Sequence, residues 1–549
     1  MRQDSRRRAR SRALTAGLLL WTCSTVVLGL PTINLVLRTG DPAPDIAGAT
    51  IASFVEPPSI VESITPGEAY MALHVTIAGP GVTPETSHVI YRWSSETDQV
   101  RLIARGGDVV VFQIAGGVVG WNLTFLESPI ASATGKVAFT AQTNAPGRGI
   151  VMGDPTNIDG LALVGQSVTL SCDSVSGVPC GPVAGTLSTM ATFGDRKGAA
   201  FATYYEPELD LAEDTVVFRG AVQTSAFGVP DALWERSQVL GQLQPLNNLS
   251  NSLLKADGID QSMVATYFDD FTDVAITDRE IYGLATVSRA PGFAIYRYYA
   301  AVDHQLLARY HAPDMVPRRD LHVGAGQMSY AGGVTDMPFD GDTSTRGVWM
   351  LGTNGSPQQQ LYQANVTPAP QFTALDTIGP PIGQALVANG RSVFAANLTG
   401  GLYAGTATVW RGSPGQLPEL VAYEDQGTPF ASPIEALWTV NASRFGDVAF
   451  HVRLADQRQA IFVIDSRGRF IPVVKSGDQI VGGRTIQSFW TLGGTFGADP
   501  VVTGAGNDGI QGAFTADGRV AALVTFTTAG GAVVVASVPL ELFTDGFEG

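Results

Sequence analysis

The sequence predicts an all-β protein, a single β-propeller of about eight four-stranded blades, with seven blades as the alternative. Two short patterns alternate along the 549 residues, eight copies of each. Apolar and polar residues alternate with a period of two between them, which is typical of half-buried strands. Gly (63) and Pro (32) are abundant and charged residues make up only 15%, which favours short strands joined by tight turns.

The first pattern is a glycine followed three residues later by a small or aromatic residue and then usually by an aromatic one. A tight turn that enters a strand often needs a positive φ, which glycine adopts without steric cost. The aromatic residue would fill the gap between neighbouring sheets. The copies begin at Gly67, Gly135, Gly326, Gly390, Gly446 and Gly518, and two degenerate copies lie at residues 197–201 and 279–283.

The second pattern is an apolar strand that ends in Gly-Asp or Gly-Gln and is interleaved with the first. The mean period is about 64 residues, which is long enough for four strands and their turns. Its copies lie at residues 37–41, 103–108, 163–166, 239–242 and 473–478, with eroded versions near Leu307, Leu361 and Val421.

The phase of the repeats predicts how the ring closes. The chain enters its first repeat with a strand over residues 34–38 and ends with a strand over residues 532–540. Neither end is a complete unit alone. Because unpaired strands leave open edges, we expect these two terminal strands to pair in one sheet and close the ring.

These glycine-led copies resemble the bacterial "choice-of-anchor tandem repeat, NxxGxxAF-containing" proteins. The resemblance spans residues 33–540, although Ser132 and Ser443 stand where the motif has Asn, and several copies lack the Ala or the Phe. It implies an exported repeat protein with variable anchoring. It implies no catalytic residue, because none is established for that family.

Residues 1–30 indicate a secretory signal, since six arginines precede an apolar stretch over residues 13–30. An uncleaved membrane anchor is the alternative. Residues 31–540 would form the propeller, and residues 541–549 a short tail that is either a sorting signal or a frayed end. We expect export to the cell envelope or beyond it, with membrane contact only through a retained N-terminal segment.

The charge of the chain bears on its partners. The net charge is −16, and the loss of six arginines and Asp4 with residues 1–30 would leave 28 basic and 49 acidic residues, a net of −21. Such a surface repels nucleic acid and anionic lipid. We therefore expect no nucleic-acid partner, and an unknown surface or extracellular ligand.

Cys172 and Cys180 flank a turn-rich loop and are the only cysteines after residue 30. In an oxidising compartment they are expected to form a disulfide. No histidine lies near them in the sequence, which argues against a metal site.

The histidines and carboxylates suggest no metal centre of a known type. His74 and His451 fall on the polar sides of strands, where we expect them to be solvated, and His88 is isolated in a turn region. A third group, His304, His311 and His322, has no zinc-site spacing. Carboxylates cluster at Glu206, Glu208, Asp210, Glu213 and Asp214, at Asp269, Asp270, Asp273 and Asp278, and at Asp336, Asp340 and Asp342.

The third carboxylate cluster begins like a calcium loop. Position twelve from Asp340 is Leu351 rather than Glu, so an EF-type loop is excluded and only a looser calcium site is left open. A structural calcium ion is thus the one cofactor considered, and no other cofactor is expected.

The sequence contains no Gly-x-Ser-x-Gly elbow and no P-loop lysine. Tryptophans recur at strand positions, where we expect packing rather than a sugar site. The catalytic residues are therefore unknown. We expect a binding or structural module, and the alternative is an extracellular glycan hydrolase or lyase with carboxylates at the propeller channel.

Overall fold

A computed structural model describes residues 31–540 apart from a set of internal segments. The predicted N-terminal signal and the C-terminal tail therefore lie outside the described residues. The internal segments left out are 115–116, 145–146, 171–181, 194–197, 207–210, 225–230, 238–242, 247–267, 278–279, 288–291, 301–302, 312–321, 325–326, 334–345, 353–358, 364–371, 388–390, 481, 493–500 and 504–511.

The regular structure of the described residues consists of strands, and it includes no helix that could cross a membrane. The strands form eight sheets, which we call blades 1 to 8. The first strand, β1 (Thr32–Arg38), belongs to blade 8. Blade 1 contains β2 (Thr50–Phe54), β3 (Ser59–Glu62), β4 (Ala69–Ala78), β5 (His88–Ser94) and β6 (Gln99–Arg105).

Blades 2 to 4 follow in chain order. Blade 2 contains β7 (Val109–Ile114), β8 (Gly117–Ala131), β9 (Val137–Thr143), β10 (Gly147–Asp154) and β11 (Asn157–Leu163). Blade 3 contains β12 (Ser167–Leu170), β13 (Val183–Leu187), β14 (Ala199–Glu206), β15 (Leu211–Thr224), β16 (Asp231–Ser237) and β17 (Gln244–Pro245). Blade 4 contains β18 (Phe268–Thr277), β19 (Glu280–Val287), β20 (Gly292–Ala300) and β21 (Asp303–His311).

Blades 5 to 8 complete the chain. Blade 5 contains β22 (His322–Gly324), β23 (Gln327–Gly333), β24 (Arg346–Gly352) and β25 (Gln359–Gln363). Blade 6 contains β26 (Asp376–Val387), β27 (Arg391–Gly400), β28 (Ala407–Gly412) and β29 (Glu419–Tyr423). Blade 7 contains β30 (Ile434–Ala442), β31 (Val448–Leu454), β32 (Gln459–Ile464), β33 (Phe470–Lys475) and β36 (Val501–Thr503). Blade 8 contains β34 (Gln479–Ile480), β35 (Arg484–Trp490), β37 (Arg519–Phe526), β38 (Gly531–Ser537) and β1.

Each sheet packs against the sheets before and after it. On β31 of blade 7, Phe450 belongs to an apolar cluster shared with blade 6, whereas Ala449 belongs to one shared with blade 8. Equivalent clusters join blades 8 and 1, 1 and 2, 2 and 3, and 5 and 6. Strands of blades 3 and 4, and of blades 4 and 5, are also in contact. The sheets thus form a ring, the eight-bladed propeller that the sequence predicts.

The terminal strands close this ring. β1 pairs with β38 in antiparallel register, from Thr32 opposite Ser537 to Arg38 opposite Ala532. The Thr39 amide adds a further hydrogen bond to the Gly531 carbonyl at 3.0 Å. The predicted pairing of the first and last strands is therefore confirmed, and it gives each terminal strand a partner in blade 8.

Blades 4, 5 and 6 have four strands, and the other blades add strands to this unit. In blade 2 the hairpin of β7 and β8 curls the sheet until β7 meets β11 in parallel, with Val111 opposite Asp159. In blade 7, β36 pairs in parallel with β30. Such additions use edges that a four-stranded meander would leave open.

The glycine of the first pattern has the expected conformation. Gly135, Gly446 and Gly518 have φ values of 82°, 87° and 87°, and each amide donates to the carbonyl three residues before it. At that earlier position Ser132 and Ser443 accept a hydrogen bond on Oγ from the amide four residues ahead, at 3.2 Å in both turns. Each serine therefore stabilises its turn with a side-chain oxygen that accepts a backbone amide.

Arginines connect these turns to the neighbouring blade. Arg92 of blade 1 donates to the Gly135 carbonyl of blade 2 at 2.8 Å. Arg411 of blade 6 donates to the Gly446 carbonyl of blade 7 at 2.8 Å and is buried. These charge-assisted bonds hold neighbouring blades in register at the face of the ring that carries the glycine turns.

Candidate functional site

Several of the predicted site residues have no described side chain. Asp336, Asp340 and Asp342 of the calcium candidate lie outside the described residues, as do Cys172 and Cys180. In the part of the chain that the structure describes, no group of three or more His, Cys, Asp or Glu side chains is placed to hold a metal ion. Only the backbone is described for His304 and His311 in β21, His322 in β22, and Asp269, Asp270 and Asp273 in β18.

The prediction that His74 and His451 are solvated is wrong. His74 is 2% exposed and His451 is 3% exposed. Both lie on strand faces that meet the next blade, so the polar side of the alternation does not face solvent. His88 is not isolated either, because its Nδ1 lies 3.0 Å from His74 Nε2. The pKa of His88 lies below its ordinary value, because burial and the neighbouring His74 disfavour the cation.

The tryptophans mainly pack between sheets, as expected. Trp234 and Trp410 are fully buried, and Trp93 donates to Asp98 at 2.9 Å. Trp490, by contrast, is 43% exposed. The buried Trp234 and Trp410 are therefore part of the core between sheets.

A cleft of about 620 Å³ lies where blades 1, 2 and 3 present their turns. The turns between β5 and β6, β8 and β9, and β10 and β11 contribute to it, together with the start of β15. They meet because a meander places its first and third turns at the same end of the sheet. The sequence did not reveal this cleft, since its walls lie far apart along the chain.

Three cationic side chains line the cleft. Lys136 Nζ lies 3.9 Å from Asp214 Oδ2, which is too long for a hydrogen bond. Arg101 is half exposed and donates from Nε to Asp45 at 3.2 Å. Arg92 uses one terminal nitrogen for the Gly135 carbonyl. The ammonium of Lys136 and part of both guanidinium groups thus remain available as donors to a ligand.

The two carboxylates of the cleft are already satisfied. Asp214 is 1% exposed and accepts from the hydroxyls of Thr134 at 2.7 Å and Thr203 at 2.6 Å. Asp154 accepts from the amide and hydroxyl of Thr156 within its own turn. Burial would raise the pKa of Asp154, but the hydrogen bonds of this turn hold it below its ordinary value. Asp154 is therefore ionised at neutral pH and is not a general acid.

The remaining walls are uncharged and, apart from Pro155 and Ala212, polar. Thr97, Gln99, Thr134 and Thr156 contribute hydroxyl and amide groups. Such groups can exchange hydrogen bonds with ligand hydroxyls, while the cations can bind an oxyanion. The arrangement suits binding of a hydroxylated anion.

A carboxyl pair lies on another part of blade 3. Burial and the nearby Glu213 raise the pKa of Glu235 to about 6. Glu213 precedes Asp214 on β15, so it points to the opposite face of the sheet from the cleft. Glu213 belongs to the predicted acidic cluster, whereas Glu235 carries no sequence signal that marks it as a site.

No curated protein matches the chain. The β-propeller domain of the Trilobed protease from Pyrococcus furiosus is 10% identical with a TM-score of 0.36, over 76% of this chain and 96% of that one. A fucoside complex of an Aleuria aurantia lectin mutant is 9% identical with a TM-score of 0.28, over 69% and 98%.

A mutant Trypanosoma rangeli sialidase with trans-sialidase activity is 11% identical, with a TM-score of 0.28 over 79% of this chain and 59% of that one. The propeller fold is assigned from the strand pairing and the contacts between blades, and not from these similarities. Residues 20–156, about a quarter of the chain, match the model of a family of unknown function, DUF7453.

Proposed function

We propose that the protein is an exported binding module, acting in the cell envelope or outside the cell, whose cleft binds an anionic, hydroxylated ligand. The observation that carries this proposal is the imbalance between donors and acceptors in the cleft. Its carboxylates are satisfied by threonine hydroxyls, whereas the ammonium group of Lys136 lies 3.9 Å from Asp214 and donates no hydrogen bond among the described residues. A bound oxyanion would complete the coordination of that ammonium group.

The charge of the whole chain strengthens this argument. The net charge is −16, so the overall surface repels anions. The charged side chains that line the cleft carry a local excess of positive charge. They are three cations, Arg92, Arg101 and Lys136, and two carboxylates, Asp154 and Asp214. The cleft volume lies in the range of small-molecule sites. An acidic oligosaccharide combines the carboxylates and hydroxyls that these walls can bind.

The test is calorimetric titration of the full chain with an oligogalacturonide at two salt concentrations, compared with a neutral cello-oligosaccharide of equal length. We expect binding of the acidic sugar that weakens with salt. Lys136→Gln should weaken it by about tenfold or more, because a charge-assisted hydrogen bond is lost. The matched control is Lys475→Gln in blade 7, where the lysine is paired with Asp478 at 3.1 Å.

Equal affinity of the native protein and Lys136→Gln would contradict the proposed site. Equal binding of the neutral and acidic sugars would contradict the proposed ligand class.

The alternative is a glycan hydrolase or lyase, and the raised pKa of Glu235 beside Glu213 favours it. A carboxyl group whose pKa is raised towards neutrality can act as a general acid. Release of reducing ends from the acidic oligosaccharide by the native protein, abolished in Glu235→Gln, would support this alternative. Binding without turnover would leave the binding module as the function.

A further inference from the structure

Three polar side chains form a continuous chain between blades 1 and 2. His74 Nδ1 lies 2.9 Å from Glu56 Oε1, and His74 Nε2 lies 3.0 Å from His88 Nδ1. The side chain of His74 is 1% exposed. These two contacts therefore satisfy both nitrogens of a buried imidazole.

The ring geometry shows what lies between the two histidines. The ring centroids are 5.2 Å apart and the two facing nitrogens are 3.0 Å apart. The difference is about the width of one imidazole ring, as expected when both nitrogens lie on the line that joins the two centroids. The two nitrogens therefore point at one another, as in an N–H···N hydrogen bond. Nitrogens that ligate one metal ion would instead point at a common third position. Such a hydrogen bond contains one proton.

Glu56 and His88, at the two ends of this series of side chains, both contact β8 of blade 2. The Ser128 amide donates to Glu56 Oε1 at 2.9 Å, and Ser128 has a φ of 51°, which is uncommon for a residue other than glycine. His88 packs edge-on against Phe125, with ring centroids 4.4 Å apart. Glu56, His74 and His88 thus connect blade 1 to blade 2.

The number of protons held by Glu56, His74 and His88 follows from these contacts. With Glu56 ionised, His74 donates from Nδ1 and one proton lies between the rings. His88 Nε2 has no hydrogen-bond partner among the described residues and is not sealed from solvent. A proton added there leaves both hydrogen bonds intact. A further proton would set one N–H against another and break the contact between the histidines.

We propose that Glu56, His74 and His88 act as one proton-binding site, which takes up a proton at His88 Nε2 and compensates its charge through Glu56. The pair of histidines then takes up protons in two separate steps that belong to the unit rather than to either residue. The first step preserves the contact between blades 1 and 2, and the second disrupts it.

Few other charges surround this unit. Glu127 on β8 is already paired with an arginine at 3.2 Å, and Arg105 on β6 donates to a carbonyl of the loop between β4 and β5. Glu85 lies in that loop and is exposed. Glu56 is therefore the carboxylate in direct contact with the histidine pair, and its removal is the informative change.

The experiment is a pH titration of the full chain labelled with ¹⁵N-histidine, followed by NMR. In the native protein we expect His74 and His88 to respond together at the first step. Glu56→Gln should lower the midpoint of that step by about one pH unit or more, because the compensating carboxylate is gone. Glu85→Gln is the matched control, and its midpoint should not move.

Two independent single-proton titrations, unaffected by Glu56→Gln, would overturn the proposal. If Glu56→Gln does not fold, a second measurement on the native protein decides the matter. A scalar coupling across the hydrogen bond between His74 Nε2 and His88 Nδ1 is expected, and its absence while both rings are well resolved would equally overturn the shared proton.

Discussion

At the scale of single residues, burial determines the chemistry of the histidines. His451 lies between blades 7 and 8, with Trp438 edge-on at 5.0 Å and Gln459 Oε1 at 3.4 Å from its Nε2. Its Nδ1 is buried without a hydrogen-bond partner in the described part of the chain. Burial lowers the pKa of His451 to about 4, so the folded protein holds this ring neutral.

This lowered pKa predicts acid sensitivity. Below about pH 6.5 an unfolded chain protonates this histidine and the folded chain does not, so stability falls as the pH drops from 6.5 towards 4. The loss should reach about 3 kcal/mol. His451→Phe should flatten this part of the profile, as measured by urea unfolding at several pH values. Parallel profiles for the two proteins would show that His451 does not contribute.

At the scale of single elements, the glycine turns determine where strands begin. Gly446 has a φ of 87°, and its carbonyl accepts the buried Arg411 of blade 6. A Cβ at this position would meet the nearest atom, Arg411 Nε, at 3.7 Å, which is an ordinary contact. The cost of a side chain there is therefore conformational rather than steric.

We expect Gly446→Ala to lower the free energy of unfolding by roughly 1–2 kcal/mol, because an L-residue is strained at this φ. Gly427→Ala is the matched control, since Gly427 has no neighbour within 4 Å of a Cβ and is exposed. Chemical unfolding of both variants measures the difference. Equal stability of the two variants would show that the turn tolerates a side chain.

At the scale of the whole molecule, the pairing of β1 with β38 makes the ring a single unit. Leu37 on β1 is 5% exposed and belongs to the core shared by blades 8 and 1, whereas Asn34 on the same strand is exposed. A defect at this pairing exposes two blade interfaces rather than one strand, because both terminal blades depend on it.

We therefore expect Leu37→Asp to lower the melting temperature of the whole protein and to open protease sites in blades 1 and 8. Asn34→Asp, on the same strand, should leave both unchanged. Removal of residues 32–38 should have a larger effect than either substitution. An unchanged melting temperature and digestion pattern for Leu37→Asp would mean that the terminal strand does not secure the ring.

Local interactions explain what the sequence by itself determined. Alternation with a period of two and the glycine turns depend on neighbouring residues, so strands such as β4 and β31 and the turns at Gly135 and Gly446 were predictable. The count of eight and the pairing of the terminal strands followed from the number and phase of the repeats.

Tertiary structure alone decided the rest. In a propeller both faces of a strand meet another blade, so the alternation that placed His74 and His451 on a polar face could not predict their burial. The cleft joins Arg92, Lys136 and Asp214 from three blades. The Glu56–His74–His88 chain likewise depends on contacts with blade 2. Such sites arise from side chains far apart in sequence, whose approach is set by sheet packing rather than by local pattern.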